Sequence, residues 1–130
     1  NISSGAPVFK IYNKLGLNKK FYIVDKIVIS QQKFPGLSEE IFKNRSNTIY
    51  NLYQNKYNIF ITNCSEKLKA ISADEKISRL LNITLNAPIL KINRVGQTYN
   101  NETIELRTSY VHTSDIDYIH SQNSTFGESI

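Results

Sequence analysis

The sequence predicts an α+β domain in which a mostly antiparallel sheet is flanked by short helices. Three observations support this: an internal repeat, a β-hairpin pattern in each copy, and two helical segments between the copies. With 130 residues, 40% hydrophobic and 21% charged, the chain fits one domain that can bury a real core. We assign residues 1–120 to this domain and residues 121–130 to a polar C-terminal tail.

The repeat joins residues 1–11 to residues 82–92. Asn1 and Asn82 open the two copies, and both copies continue into Ala-Pro, two apolar residues, Lys and Ile in the same register. Only two copies occur, at a long spacing. The pattern therefore indicates a duplicated half-domain and not a solenoid.

The residue pattern of each copy predicts a β-hairpin. Polar loops around residues 18–20 and 100–102 supply turn residues, and the runs beside them are rich in β-branched and aromatic residues, as strands prefer. The predicted strands are Val8 to Lys14, Phe21 to Ile29, Ile89 to Thr98 and Thr103 to Val111.

The segment between the hairpins contains a break and a helix. Pro35 and Gly36 interrupt regular structure after the first hairpin. Residues 47–57 then place Ile49, Leu52 and Tyr53 at helical spacing, which predicts an amphipathic helix.

An extended segment and a second helix lead into the second hairpin. Residues 59–71 are predicted to be extended. Ser72 and Glu75 have the spacing of a capping box, which would start a short helix whose buried stripe includes Ile77 and Leu81.

The second copy thus consists of a strand, a helix and a hairpin. The first copy begins at Asn1, the equivalent of Asn82, so its own strand and helix are missing from the sequence. A lone hairpin would leave one flank of the sheet uncovered. We therefore expect the chain to start inside a folding unit; alternatively, the first copy never had these elements.

Composition argues against several classes of protein. The net charge is +5, but the lysines are scattered, with Lys19 and Lys20 the densest pair, which predicts no nucleic-acid interface in this chain. No apolar run approaches the ~20 residues that cross a bilayer. The lone cysteine, Cys64, and the absence of a signal segment favour a reducing cytoplasm.

The sequence offers no recognisable catalytic constellation. His112 and His120 lack the neighbours of a metal site, and neither a Gly-rich phosphate loop nor a nucleophile elbow occurs. We therefore predict a protein that is not an enzyme, with no catalytic residues, no metal and no cofactor.

Several short motifs, in order along the chain, resemble one family. They are Gly5-Ala6-Pro7-Val8, Phe21 to Ile29, Phe34-Pro35-Gly36-Leu37, Thr48-Ile49-Tyr50, Glu66 to Ala70 with Leu80-Leu81, Ile92-Asn93-Arg94, Ile104-Glu105 and Ser109-Tyr110. Together they resemble the effector-binding (UTRA) domain of GntR-type bacterial transcription regulators of the HutC subfamily. The resemblance extends from residue 5 to about residue 118.

This resemblance implies a chorismate lyase-like fold that binds a small-molecule effector. In the intact regulator, the effector would control how a winged helix-turn-helix domain, which this chain lacks, holds DNA. Such a regulator reads paired half-sites, so a homodimer is expected. The alternative is an enzyme of the chorismate lyase type, for which Arg94 or Arg107 with Glu105 would have to grip a dicarboxylate.

The resemblance also implies five ligand-binding residues. They are Asn13, Asp25, Thr48, Glu105 and Tyr110. Simpler roles compete with these: Asn13 can cap a loop, Thr48 can cap its helix, and Tyr110 can pack.

The expected ligand chemistry follows from a departure from the family pattern. Asn13 and Leu15 stand where phosphosugar sensors of the family often carry two arginines. Without that pair, and with Asp25 and Glu105 expected to face ligand donors, we expect a neutral or amino-bearing metabolite, for example a sugar, and not a doubly charged phosphate.

Overall fold

A computed structural model describes residues 4–120 of the chain. It confirms the α+β class. The strands are β1 (Val8–Leu17), β2 (Lys20–Ser30), β3 (Asn63–Ser72), β4 (Pro88–Gln97) and β5 (Thr103–Val111), and the helices are α1 (Glu39–Lys43), α2 (Ile49–Tyr57) and α3 (Glu75–Leu81), with a 3₁₀ turn at Tyr99–Asn101. The predicted tail, residues 121–130, lies outside the described residues.

The five strands form one antiparallel sheet in the order β1-β2-β5-β4-β3. Its register confirms that the two predicted hairpins are equivalent. Phe9 lies opposite Ile29 in the first hairpin as Leu90 lies opposite Val111 in the second. Between the hairpins, the β2–β5 pairing is symmetric about Lys26, so an approximate two-fold axis passes between these strands.

The sheet has two unequal faces, because neighbouring strand residues point to opposite sides. Helix α2 and the chain around it pack on one face, here called the front face, against Ile27, Ile29 and Phe34. Helix α3 packs on the opposite back face, where its Ile77 and Leu81 form a buried cluster with Val24, Ala73 and Ile89. The front face therefore contains the larger core.

Two local predictions change in the structure. Helix α3 is capped by Asp74, whose carboxylate accepts from the Ile77 backbone N–H at 2.9 Å, so the predicted capping box at Ser72 was wrong. Ser72 instead ends β3, paired with Pro88. Helix α1 was not predicted, because its five residues are too few to show helical periodicity.

The lysines are less scattered in space than along the chain. Strand register puts six of them on the back face: Lys10, Lys14, Lys26, Lys67, Lys69 and Lys91. Residues that are scattered along the chain can share a face in this way, because alternate positions on different strands point to the same side of the sheet. No helix among residues 4–120 has the length and hydrophobicity needed to cross a bilayer.

Candidate functional site

A buried ion pair lies at the centre of the front face. Glu105 is fully buried, and Arg107 donates to both of its carboxylate oxygens, from Nε at 2.7 Å and from Nη2 at 3.0 Å. Asp25 lies beside them: its Oδ2 is 3.9 Å from Arg107 Nη1, and Ser109 Oγ donates to its Oδ1 at 2.6 Å. The two predicted carboxylates thus share one arginine.

Two tyrosines of α2 complete the shell of Glu105. Tyr53 donates to Oε2 at 2.5 Å and Tyr50 donates to Oε1 at 3.3 Å. Burial raises the pKa of both phenols, and the negative charge of Glu105 raises each pKa further. Burial, the largest effect, lowers the pKa of Arg107, but Glu105, with smaller contributions from Tyr50 and Asp25, outweighs it, and the net pKa is raised. The tyrosines therefore stay neutral donors and Arg107 stays charged.

A second buried pair lies towards β3. Arg94 Nε donates to Glu66 Oε2 at 2.9 Å, and Tyr118 donates to Glu66 Oε1. Burial, together with this hydrogen bond, raises the pKa of Tyr118 to about 12. Burial likewise raises the pKa of the nearby Cys64 thiol, which disfavours a reactive thiolate. Both buried pairs have the character of structural ion pairs.

A cavity of about 660 Å³ opens between β1 and the segment that carries α1. This volume suits a small-molecule ligand. Its apolar walls are Phe9, Ile11, Leu37 and Phe42, and Asn13 and Arg45 supply polar groups. The Arg45 guanidinium lies 4.6 Å from the centre of the Phe42 ring, donates to the Phe42 carbonyl at 3.0 Å, and reaches Asn13 Oδ1 at 3.5 Å.

The structure brings three of the five predicted site residues together. Asn13 lines the cavity and lies opposite Asp25 in the sheet, and Asp25 and Glu105 both contact Arg107. Asp25 and Glu105 are buried and are not among the residues that line the cavity. Tyr110 lies on the back face, where it packs beside the cluster around Val24.

The sequence analysis did not identify Arg45 and Phe42 as site residues. Phe42 lies in α1 and Arg45 follows it by two residues, in a part of the chain for which no helix or strand was predicted. The available signal was Ser38, a helix N-cap residue type followed by two glutamates, and its side chain does accept from the Ile41 N–H at 3.2 Å.

Thr48 is the N-cap of α2, and its Oγ1 accepts from the Asn51 N–H at 3.1 Å. Replacing Thr48 by Ala should therefore lower the free energy of unfolding by about 1 kcal/mol, and replacement by Ser should largely preserve it. Urea unfolding of both variants measures this. A loss of ligand binding in Thr48→Ala at unchanged stability would instead support the predicted ligand contact.

Among residues 4–120, no group of three or more His, Cys, Asp or Glu side chains is arranged to hold a metal ion. The cavity combines apolar side chains with a few polar and charged groups, an arrangement that can bind and orient a small molecule.

Comparison with known proteins agrees with this architecture. The family model described as the UTRA domain matches residues 1–117. The chain is 26% identical, with a TM-score of 0.88, to a ligand-binding domain from Bordetella bronchiseptica whose name assigns it to a GntR-family transcriptional regulator; the match covers 93% of this chain and 76% of that one. No curated protein matches the chain.

More distant structures share the fold. YydK from Bacillus subtilis is 14% identical with a TM-score of 0.83, covering 95% of this chain and 54% of its own. PhnF from Mycobacterium smegmatis is 18% identical with a TM-score of 0.78, covering 93% of this chain and 52% of its own. The chain thus spans about half the length of these two proteins.

Proposed function

Because the chain belongs to the UTRA domain family, we propose that it senses a small-molecule effector for a GntR-type transcription regulator of the HutC subfamily. The observation that carries this proposal is the cavity between β1 and α1, where Asn13 and Arg45 meet apolar walls. In the intact regulator, a separate winged helix-turn-helix domain would hold DNA. We propose that this regulator acts in the cytoplasm as a homodimer.

The cavity geometry suggests how occupancy could be transmitted. One wall is β1, an outer strand of the sheet, and the other is the short α1 segment, which is anchored by Leu37 and Phe42 in the front-face core. A ligand that contacts both walls favours the arrangement in which they lie close together. Its differential affinity for that arrangement would shift the population of the DNA-bound form.

Catalysis is not part of this proposal. A chorismate lyase-type site would need an arginine free to grip a dicarboxylate. Arg107 is bound to Glu105 and Arg94 is bound to Glu66, so both arginines named for that alternative already have protein carboxylates as partners.

A thermal-shift screen of sugars, amines, carboxylates and phosphates tests the sensor function. A bound effector at 100 times its dissociation constant adds about 2.7 kcal/mol of stability, which corresponds to a melting-temperature rise of roughly 10 °C for a chain of this length. The sequence-based expectation is that a neutral or amino-bearing compound, such as a sugar, gives this rise.

Two tryptophan variants test whether the ligand that raises the melting temperature binds in the cavity. Ile11→Trp fills the cavity from the front face of β1 and should abolish the shift. Asn93→Trp, on the exposed back face of β4, should retain it. An equal response in both variants would place the ligand elsewhere. A library in which no compound stabilises the wild-type chain would contradict the sensor function.

A further inference from the structure

We propose that the cavity between β1 and α1 takes a small monocarboxylate with an apolar body, and that Arg45 and Asn13 hold its carboxylate. This inference rests on the proposed function, since it assigns a chemical class to the effector. The sequence favoured a neutral or amino-bearing ligand. The unsatisfied N–H groups of Arg45 and Asn13 favour an anionic one instead.

Arg45 differs from the other two arginines of the front face. Arg94 and Arg107 each pair with a glutamate, whereas no carboxylate among residues 4–120 lies within 4.0 Å of Arg45. Its Nε is buried and has no hydrogen-bond partner in that part of the chain. A partly buried guanidinium without a counter-ion is costly, so a ligand anion would stabilise it.

Asn13 presents a second unsatisfied donor at the same end of the cavity. Its Oδ1 accepts from Arg45 Nη2, which leaves the amide Nδ2 as the group that a ligand can meet. This Nδ2 is buried and has no partner among the described residues. A site that offers two kinds of unsatisfied N–H donor favours a ligand group that only accepts, such as a carboxylate.

The remaining residues of the cavity walls indicate the chemistry of the ligand beyond its carboxylate. Phe9, Ile11 and Leu37 form an apolar surface, which suits an aliphatic or aromatic body. The one acidic side chain along the walls is Glu39, an exposed residue whose carboxylate pairs with Lys43 at 2.7 Å. A ligand ammonium would therefore find no unengaged carboxylate there.

A single guanidinium argues for one negative charge on the ligand. Planar guanidinium groups bind carboxylates bidentately, and a phosphate dianion is usually held by more than one cation. Lys10 and Lys14 flank Asn13 on β1, but strand alternation directs their side chains to the back face. Lys43 also lines the cavity, but its ammonium pairs with Glu39 at 2.7 Å. Arg45 is thus the lining cation on the front face that has no carboxylate partner among residues 4–120.

Matched acid and amide probes test this proposal by calorimetric titration of the wild-type chain. The probes are 3-phenylpropanoate with 3-phenylpropanamide, and hexanoate with hexanamide. Within each pair, the acid should bind at least about tenfold more tightly, because only the acid forms a charge-assisted hydrogen bond with Arg45. Phenyl phosphate should bind no more tightly than the phenyl acid.

Variants of Arg45 test whether this residue causes the preference for acids over amides. Arg45→Gln should weaken binding of the acids by about tenfold and leave the amides unchanged. Arg79→Gln, which removes an exposed cation from α3 on the back face, is the matched control and should change neither. If Arg45→Gln does not fold, Arg45→Lys and the acid-to-amide ratio of the wild type still decide the question.

Three outcomes overturn the monocarboxylate proposal: amides that bind as tightly as their acids, acids that bind equally to wild type and Arg45→Gln, or a phosphate preference. If sugars or amines stabilise the chain while carboxylates do not, the sensor function holds and the ligand class is wrong. A chain that binds no compound of any class contradicts the sensor function itself.

Discussion

Replacing Arg107 by Met is expected to lower the free energy of unfolding by about 3–5 kcal/mol, because Glu105 then keeps a buried charge without its counter-ion. Glu105 is 0% exposed, and Arg107 occupies both of its oxygens. The hydroxyls of Tyr50 and Tyr53 remain, but neutral donors do not balance a carboxylate charge. Urea unfolding monitored by circular dichroism measures the loss.

A double variant separates charge from packing. Adding Glu105→Gln to Arg107→Met removes the charge nearest the lost guanidinium and keeps an acceptor for the tyrosines, so it should recover part of the stability; Asp25 keeps the other carboxylate charge. Lys43→Met, which breaks the exposed pair with Glu39, should change stability little. A double variant no more stable than Arg107→Met alone would show that the arginine acts through packing.

Replacing Phe34 by Ala is expected to cost about 3–5 kcal/mol, since it opens a cavity in the front-face core. Phe34 is 0% exposed, and its ring lies 4.7 Å from that of Tyr53 and 5.1 Å from that of Tyr57. Because Tyr53 donates to Glu105, the substitution also loosens the shell of the buried ion pair.

Phe60→Ala provides the matched control for this effect. Phe60 is 39% exposed, so the same change of side chain there removes much less buried area and should cost clearly less. Chemical denaturation of both variants gives the comparison. Equal losses at the two positions would contradict the assignment of Phe34 to the core.

Local sequence signals were sufficient for the strands and for helices α2 and α3, although not for the residue that caps α3. The Ala-Pro-apolar-apolar-Lys-Ile entry occurs twice, and both occurrences lead into hairpins with equivalent register. Helix α2 begins after Thr48 and ends at Tyr57, as its periodicity predicted. These features depend on alternation, capping and turn residues, which act over a few positions and so can be read from a single chain.

The candidate site was only partly accessible from sequence. Family resemblance pointed to Asn13, Asp25 and Glu105, which the structure does place near one another on the front face. Neither the resemblance nor the local pattern indicated that Glu105 would be enclosed by two tyrosines and an arginine. That enclosure requires α2 to fold onto β5, more than forty positions away along the chain.

The sequence by itself determined the α+β class, the duplicated hairpins and the lack of a recognisable catalytic motif, because each depends on residue types at short spacing. Only the tertiary structure decided which polar groups are already satisfied and which still lack a partner. Asp25 and Glu105 have protein partners, whereas Arg45 Nε and Asn13 Nδ2 are buried without one among residues 4–120. Hydrogen-bond satisfaction depends on contacts between distant segments, so it appears only once the chain is folded.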